Sequence, residues 1–243
     1  VFHRVHVGEV IPFPVQSRLT MKKSPRPLLK AICLSLAFAA PQLHARLGES
    51  KSTLEQRLLV DRRAVRVPEA VQERKLEASG YKNLLDALDL VEVSYSQAIY
   101  YKRAKDENID RDDIQPFDTG RGPAFLPGWD LHVIYLGGKS VFEAYRRSSG
   151  LTEPERDGLL VRQSDGNRWL RTEDLTPEQA TALEPEPGVE PLLRPQFLRS
   201  DGEVAALVQD NTLIFYSLDF EERLAKALHR ERNERAPESL KGF

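Results

Sequence analysis

The sequence predicts an α+β fold, in which antiparallel hairpins and a β-meander are covered by short helices. The clearest signal is a pair of apolar runs, Leu131–Leu136 and Ser140–Tyr145, joined by Gly137-Gly138. A Gly-Gly pair favours a two-residue hairpin, because both turn positions need positive φ. Three further strands form a predicted meander with turns at 200–202 and 210–211. These strands are Phe197–Arg199, Val204–Val208 and Leu213–Tyr216.

Two shorter stretches also have the composition of strands. Val91, Val93 and Tyr95 alternate with polar residues, and the β-branched and aromatic run 98–101 follows them. Trp169 and Leu170 predict a short strand. These stretches add strands before and after the central hairpin.

The helices are predicted from apolar spacing and from their end signals. The segments Ser52–Glu55 and Thr152–Glu155 both match a capping box, in which the first and fourth side chains bond to the backbone of the first helical turn. Six helices are predicted. The first starts at Ser52, the last starts near Asp219, and the four between them span Glu69–Ala78, Tyr81–Leu90, Thr152–Arg162 and Thr176–Leu183.

The domain organisation follows from the segments between these elements. Residues 46–183 are predicted to form an α+β domain, and the proline-rich connector 184–195 marks a subdomain boundary. Residues 196–243, the meander and the last helix, are expected to pack on the same domain. The chain after Ala236-Pro237 is expected to be loose.

Residues 21–45 carry the pattern of an export signal. A basic segment begins at Met21, the apolar run Ala31–Ala40 follows, and small residues near Ala39 and Ala45 suit cleavage. The apolar run has about ten residues, whereas a membrane-spanning helix needs ~20. Residues 21–45 are therefore predicted to be a cleaved signal peptide, cut after Ala45 or alternatively after Ala39, which sends the mature chain to the periplasm or the medium without a transmembrane span.

Residues 1–20 are predicted to be an upstream extension that is not part of the natural product. Met21 is the single methionine of the chain, and Val1 is the residue that a GTG codon would encode. The sequence leaves open whether Val1 or Met21 is the true start.

Loss of the signal would change the chemistry of the chain. Cys33 is the single cysteine and lies in the apolar run, so the mature chain would be cysteine-free, with no disulfide, thiol nucleophile or thiolate metal site. From residue 46 onward there are 29 Lys and Arg against 36 Asp and Glu, a net charge of −7. A negative chain repels phosphate backbones and anionic lipid, which argues against nucleic-acid binding.

Three motifs suggest chemistry. Asp118-Thr119-Gly120 matches the aspartic-protease triplet, but that site needs two such carboxylates and one copy is present. The loop Asp106–Asp112 spaces its oxygen-bearing side chains as calcium loops do, although Arg111 stands where a glycine belongs and Phe117 where a glutamate belongs. An ordinary turn and a solvated acidic loop are the competing interpretations, and calcium binding by the loop stays open.

The histidines are the third feature that suggests chemistry. Only His132 and His229 remain after the signal, so a site of several histidines is excluded. His132, in the first hairpin strand, is the one candidate base for a hydrolase, yet no Gly-x-Ser-x-Gly elbow accompanies it. We expect it on the less buried face of its strand. We expect Trp129 and Trp169 to anchor the hydrophobic core. The alternative is that they line a pocket.

Two motifs carry a family resemblance. Arg46-Leu47-Gly48-Glu49 after the signal and Gly137-Gly138-Lys139 in a strand turn resemble those of small exported bacterial proteins of uncharacterised function. The Arg-x-Gly-Glu start is also similar to the SmpA/OmlA-type accessory lipoproteins of outer-membrane assembly. Those carry a lipidated cysteine, which this chain lacks. The resemblance implies a fold class and an address in the envelope.

The sequence assigns no catalytic, cofactor-binding or metal-ligating residue. It favours a non-enzymatic role in binding or scaffolding an envelope protein. The alternative is a hydrolase that uses carboxylates or His132.

Overall fold

In a computed structural model of the protein, the residues described are 46–62, 64–91, 94–103, 127–181 and 183–239. They belong to the unit Leu43–Phe243. The strands are β1 (Val65–Arg66), β2 (Tyr95–Lys102), β3 (Trp129–Leu136), β4 (Lys139–Arg147), β5 (Trp169–Arg171), β6 (Phe197–Arg199), β7 (Val204–Gln209) and β8 (Thr212–Ser217). The helices are α1 (Lys51–Glu55), α2 (Glu69–Glu77), α3 (Lys82–Leu88), α4 (Glu153–Gln163), α5 (Pro177–Thr181) and α6 (Leu218–Ser239). A π-helical segment, Gln56–Asp61, extends α1, and a 3₁₀ turn spans Thr172–Asp174.

The strands form one eight-stranded antiparallel sheet, in the order β1-β2-β3-β4-β8-β7-β6-β5. The predicted α+β class is confirmed. Two four-strand halves meet where β4 pairs with β8. The proline-rich segment 184–195 connects strands of this same sheet, since β5 before it pairs with β6 after it.

The predicted central hairpin is confirmed. β3 and β4 pair along their length, and Gly137 and Gly138 have φ of +58° and +77°. Both values lie in the left-handed region, where a side chain is strained. The two glycines therefore allow the chain to reverse within two residues.

The capping predictions had opposite outcomes. Thr152 caps α4 as predicted, with its hydroxyl accepting from the Glu155 N–H and its own N–H donating to the Glu155 carboxylate at 2.9 Å. The predicted cap of α1 was wrong. The hydroxyl of Ser50, not that of Ser52, accepts a hydrogen bond from the N–H of Thr53 at 3.2 Å. The backbone of Ser50 is extended, so the helix begins at the next residue, Lys51, and Ser50 is its N-cap.

Two element ends differ from prediction. Val91 does not start a strand, because its N–H donates to the Leu88 carbonyl in the turn after α3, and β2 begins at Tyr95. α6 continues to Ser239, past Pro237, where a loose tail was expected.

Helices cover both faces of the sheet. On one face, called here the groove face, Leu54 of α1 packs on Tyr100 and Leu131, and Leu159 of α4 packs on Phe215. The opposite face, with Ile134, Phe142, Ile214 and Tyr216, packs against α3 and against Phe220 and Leu224 of α6. Strand side chains alternate between faces, so neighbouring residues enter different cores.

The two motifs of the family resemblance lie side by side. The Gly48 N–H donates to the Ser140 carbonyl at 2.7 Å, and the Lys51 N–H donates to the Gly138 carbonyl at 3.1 Å. Ser50 and Lys139 form an isolated antiparallel bridge. The segment 46–51 therefore runs along the turn end of β4.

Within the described ranges, no helix combines the length and apolar composition that a membrane crossing requires.

Candidate functional site

A groove opens on the groove face, between the π-helical segment and α4 and above the ends of β2, β3 and β4. We call it the arginine groove. Its volume is about 540 Å³, in the range of small-molecule sites. Tyr100, Trp129 and Leu131 supply the sheet side, and Leu58 and Leu159 supply the helix sides.

Cations outnumber carboxylates in the described lining of the arginine groove. Among the described residues that line it, five are cationic and two are carboxylates. Both carboxylates are in ion pairs: Asp130 lies 2.8 Å from the Lys75 Nζ, and Glu155 lies 3.4 Å from the Arg147 Nε. The cations are Arg62, Lys102, Arg103, Arg147 and Arg162.

The helix α4 lines the arginine groove with one of its faces. Glu155, Gly158, Leu159 and Arg162 are spaced i, i+3, i+4 and i+7, so they share one side of the helix. A Cβ atom added at Gly158 would find no atom within 4 Å. The helix therefore keeps open space at the groove wall, at the cost of a glycine in its interior.

Arg147 is the most buried of these cations. Its side chain is 3% exposed, and its guanidinium carbon lies 5.4 Å from the centre of the Trp129 ring. The two residues are register partners on β3 and β4. Pairing of the strands thus holds a cation against an aromatic face, an electrostatically favourable contact.

A smaller cavity adjoins the arginine groove and shares Leu58, Arg62, Tyr145, Leu159 and Arg162 with it. We call it the inner pocket. Its volume is about 40 Å³, and its remaining lining residues are Arg57 and Gln163.

The inner pocket brings together three arginines, namely Arg57, Arg62 and Arg162. Arg57 is 2% exposed and holds Glu49 at 2.5 Å through one terminal nitrogen. Its buried Nε has no acceptor among the residues that the structure describes. The pKa of Arg62 is lowered by burial first, and then by repulsion from Arg162 and Arg57. The pocket therefore holds like charges close together.

A buried carboxyl lies beside the inner pocket. Glu143 is fully buried and accepts hydrogen bonds from the Tyr145 hydroxyl and the Gln163 amide, both at 2.7 Å. Burial raises the pKa of Glu143, although these hydrogen bonds and the charge of Arg57 act in the opposite direction. Gln163 also accepts the Leu47 N–H at 2.8 Å, which ties the Arg-x-Gly-Glu segment to the pocket.

His132 does not belong to this site. It lies on the opposite face and is 3% exposed, so the expectation of a less buried position was wrong. Its ring nitrogens lie 3.2 Å from the Tyr81 hydroxyl and 3.1 Å from the Gln97 side-chain oxygen. Burial lowers the pKa of His132 to about 3. No serine is among its hydrogen-bond partners in the described part of the chain.

The two tryptophans have different surroundings. Trp129 lines the arginine groove, which matches the pocket interpretation. Trp169 packs against Phe215 with ring centres 5.6 Å apart, and its indole N–H donates to the Leu160 carbonyl at 2.7 Å. Trp169 is therefore a core anchor beneath α4.

Several predicted features lie outside the described residues. They are the signal peptide 21–45, the calcium-type loop Asp106–Asp112 and the triplet Asp118-Thr119-Gly120. Among the ranges that the structure describes, no three His, Cys, Asp or Glu side chains form a group able to hold a metal ion.

Sequence reasoning missed the arginine groove. Its cations come from four separate places: the end of the π-helical segment, β2 with the residue after it, the end of β4, and α4. No local sequence motif contains all of these cations. The net charge of −7 from residue 46 onward argued against the binding of anions. The helical spacing of Gly158, Leu159 and Arg162 with Glu155 was the one available signal.

Comparison with known proteins identifies no relative: no family model, no curated protein and no solved structure matches this chain.

Proposed function

We propose that this chain is an exported, non-enzymatic binding protein that holds a negatively charged ligand in the arginine groove. The observation that carries the proposal is the concentration of five cations around an aromatic floor, in a chain whose net charge from residue 46 onward is −7. A local positive site on a negative protein attracts anions to one place.

The lining chemistry favours binding over catalysis. Arginine stays protonated in proteins and cannot act as a general base. The carboxylates of Asp130 and Glu155 are held by Lys75 and Arg147. What the groove offers is charge, hydrogen-bond donors and apolar surface, which are the components of a recognition site.

Arginine also suits the recognition of particular anions. Its planar guanidinium presents a fork of N–H donors that matches a carboxylate or a phosphate with two parallel hydrogen bonds. An anion bound among several guanidinium groups interacts favourably with each of them. Ligand binding should therefore stabilise the folded chain.

Thermal melting of the full chain tests the binding site. Inorganic phosphate and octanoate, each compared with chloride at equal ionic strength, should raise the midpoint of unfolding, because a ligand of the folded state stabilises it. The double variant Arg62→Gln/Arg162→Gln should lose this rise.

The matched control is Arg168→Gln/Arg230→Gln, which removes the same charge at exposed positions outside the groove. This control should keep the response to anions. If neither anion raises the midpoint, or if both double variants respond alike, the groove is not an anion site.

Export rests on the basic, apolar and small-residue order of 21–45. Fractionation of producing cells, followed by N-terminal sequencing, should find a chain beginning at Arg46 or Ala40 outside the inner membrane. Full-length chain in the cytosol would overturn this part of the proposal.

A further inference from the structure

We infer that the ligand is a carboxylate at the end of an apolar chain, bound with its carboxylate in the inner pocket and its chain along the arginine groove. This inference rests on the proposed anion-binding function and names the chemical class of the ligand. Three observations lead to it: the sizes of the two cavities, the donors of the smaller one and the apolar lining of the larger one.

The inner pocket admits a small head group. Its 40 Å³ correspond to a few water positions, at ~10–15 Å³ of such volume each. A carboxylate has three heavy atoms in a plane, whereas a phosphate monoester is a five-atom tetrahedron. The size of the pocket therefore favours the carboxylate.

The donors of the inner pocket point to an anion there. Three guanidinium groups line it, and the Arg57 Nε is buried with no acceptor within the described residues. A buried donor without an acceptor costs free energy, and a ligand oxygen brought within its reach would recover part of that cost. The neighbouring carboxyl, Glu143, has a raised pKa because of its burial, so its neutral form is favoured.

The larger cavity suits an apolar chain. Leu58, Leu131 and Leu159 line it together with the rings of Tyr100 and Trp129. An inorganic anion would leave this surface in contact with water, whereas an alkyl or aromatic stem would bury it. Leu58 and Leu159 line both cavities, so the two adjoin, and the inferred ligand would span both of them.

Isothermal titration of the full chain with butyrate, hexanoate and octanoate tests the inference. Each methylene buried along the groove should raise the affinity about four-fold, so the four additional methylenes of octanoate should make it bind about 250-fold more tightly than butyrate. Octanamide, which has the stem without the charge, should bind at least ten-fold more weakly than octanoate. Arg162→Gln should weaken octanoate binding.

A variant of the groove wall separates the stem from the head group. Gly158→Leu adds an apolar side chain where space is open, and should weaken octanoate more than butyrate. Val161→Leu, at an exposed position of the same helix outside the groove, is its matched control and should leave both affinities within about two-fold. Circular dichroism of each variant confirms that it is folded.

The outcomes distinguish this inference from the proposed function. Binding of phosphate that depends on Arg62 and Arg162, with octanoate no tighter than butyrate, would keep the anion site and overturn the carboxylate-with-stem ligand. Equal binding of octanoate and octanamide would also overturn it. If no anion binds in an arginine-dependent way, both proposals fail.

Discussion

The guanidinium of Arg147 lies 5.4 Å from the centre of the Trp129 ring, and the two residues face each other across β3 and β4. The Nε of Arg147 also lies 3.4 Å from Glu155 on α4. One buried cation thus joins the floor of the arginine groove to its helical wall. This arrangement positions both the sheet side and the helix side of the site.

Replacing Arg147 with lysine should destabilise the protein and weaken anion binding. Lysine keeps the charge but loses the planar group that stacks on the indole and forms directional hydrogen bonds. We expect a loss of about 1–2 kcal/mol in the free energy of unfolding, measured by urea denaturation. Arg171→Lys, at an exposed ion pair with Glu173, is the control and should change little. An unchanged stability of Arg147→Lys would contradict the role given to this contact.

The buried ion pair between Lys75 and Asp130 should behave as a unit. The Lys75 side chain is 1% exposed and the Asp130 side chain is 6% exposed, so removing one charge leaves the other buried without this partner. Lys75→Met should cost about 3–5 kcal/mol, whereas the double variant Lys75→Met/Asp130→Leu should recover much of that loss. A double-mutant cycle by urea denaturation measures the coupling. Additive losses would show that the two side chains do not depend on each other.

Acid should destabilise the protein through His132. The folded protein protonates this side chain only near pH 3, whereas the unfolded chain does so near 6.5. Stability from this group is therefore full above about pH 6.5 and falls as the pH decreases, by about 1.4 kcal/mol per pH unit. His132→Gln should flatten the pH dependence between 6.5 and 4.5. His229→Gln on α6 is the control, and the idea fails if both variants keep the slope of the parent chain.

Glu143 should show the opposite pH dependence. Its pKa is raised by burial, so the folded state binds the proton more tightly than the unfolded chain, and stability from this group is lost as the pH rises. Glu143→Gln mimics the neutral form and should gain stability relative to the parent chain between pH 4.5 and 8. Glu153→Gln, exposed at the start of α4, should show no such trend. A Gln variant that is less stable at pH 8 than at pH 4.5, relative to the parent, would contradict this assignment.

Gly158→Ala should stabilise the protein. The glycine lies in the interior of α4, and an added methyl group would meet no atom within 4 Å. Alanine in a helix is favoured over glycine by about 1 kcal/mol, so the melting midpoint should rise. The control is Gly138→Ala, where φ is +77° and the same methyl should be destabilising. A lower midpoint for Gly158→Ala would mean that this wall has no open space.

The sequence predicts the features that depend on neighbouring residues. The hairpin at Gly137-Gly138 and the cap at Thr152 follow from local turn and capping chemistry, and both were confirmed. The cap of α1 was missed because Ser50 pairs with Lys139, a contact that is distant in sequence.

Features that depend on the sheet as a whole could not be predicted. His132 was expected near solvent, because a strand of an antiparallel sheet often has one face exposed to water. In the structure, helices cover both faces of β3, and six consecutive residues of this strand are buried. Arg62, Arg147 and Arg162 meet because strand register and helix packing bring their segments together. Neither arrangement leaves a pattern within one short segment.

The most direct test of the arginine groove uses the two indole N–H signals of the chain in a nitrogen–proton NMR spectrum. Trp129 lines the groove. The Trp169 indole N–H lies outside it and donates a hydrogen bond to the Leu160 carbonyl, so the Trp169 signal is an internal control. Titration with octanoate at constant ionic strength should shift the Trp129 signal until it saturates and leave the Trp169 signal in place. A Trp129 signal that does not move, or two signals that move together without saturation, would contradict anion binding in the groove.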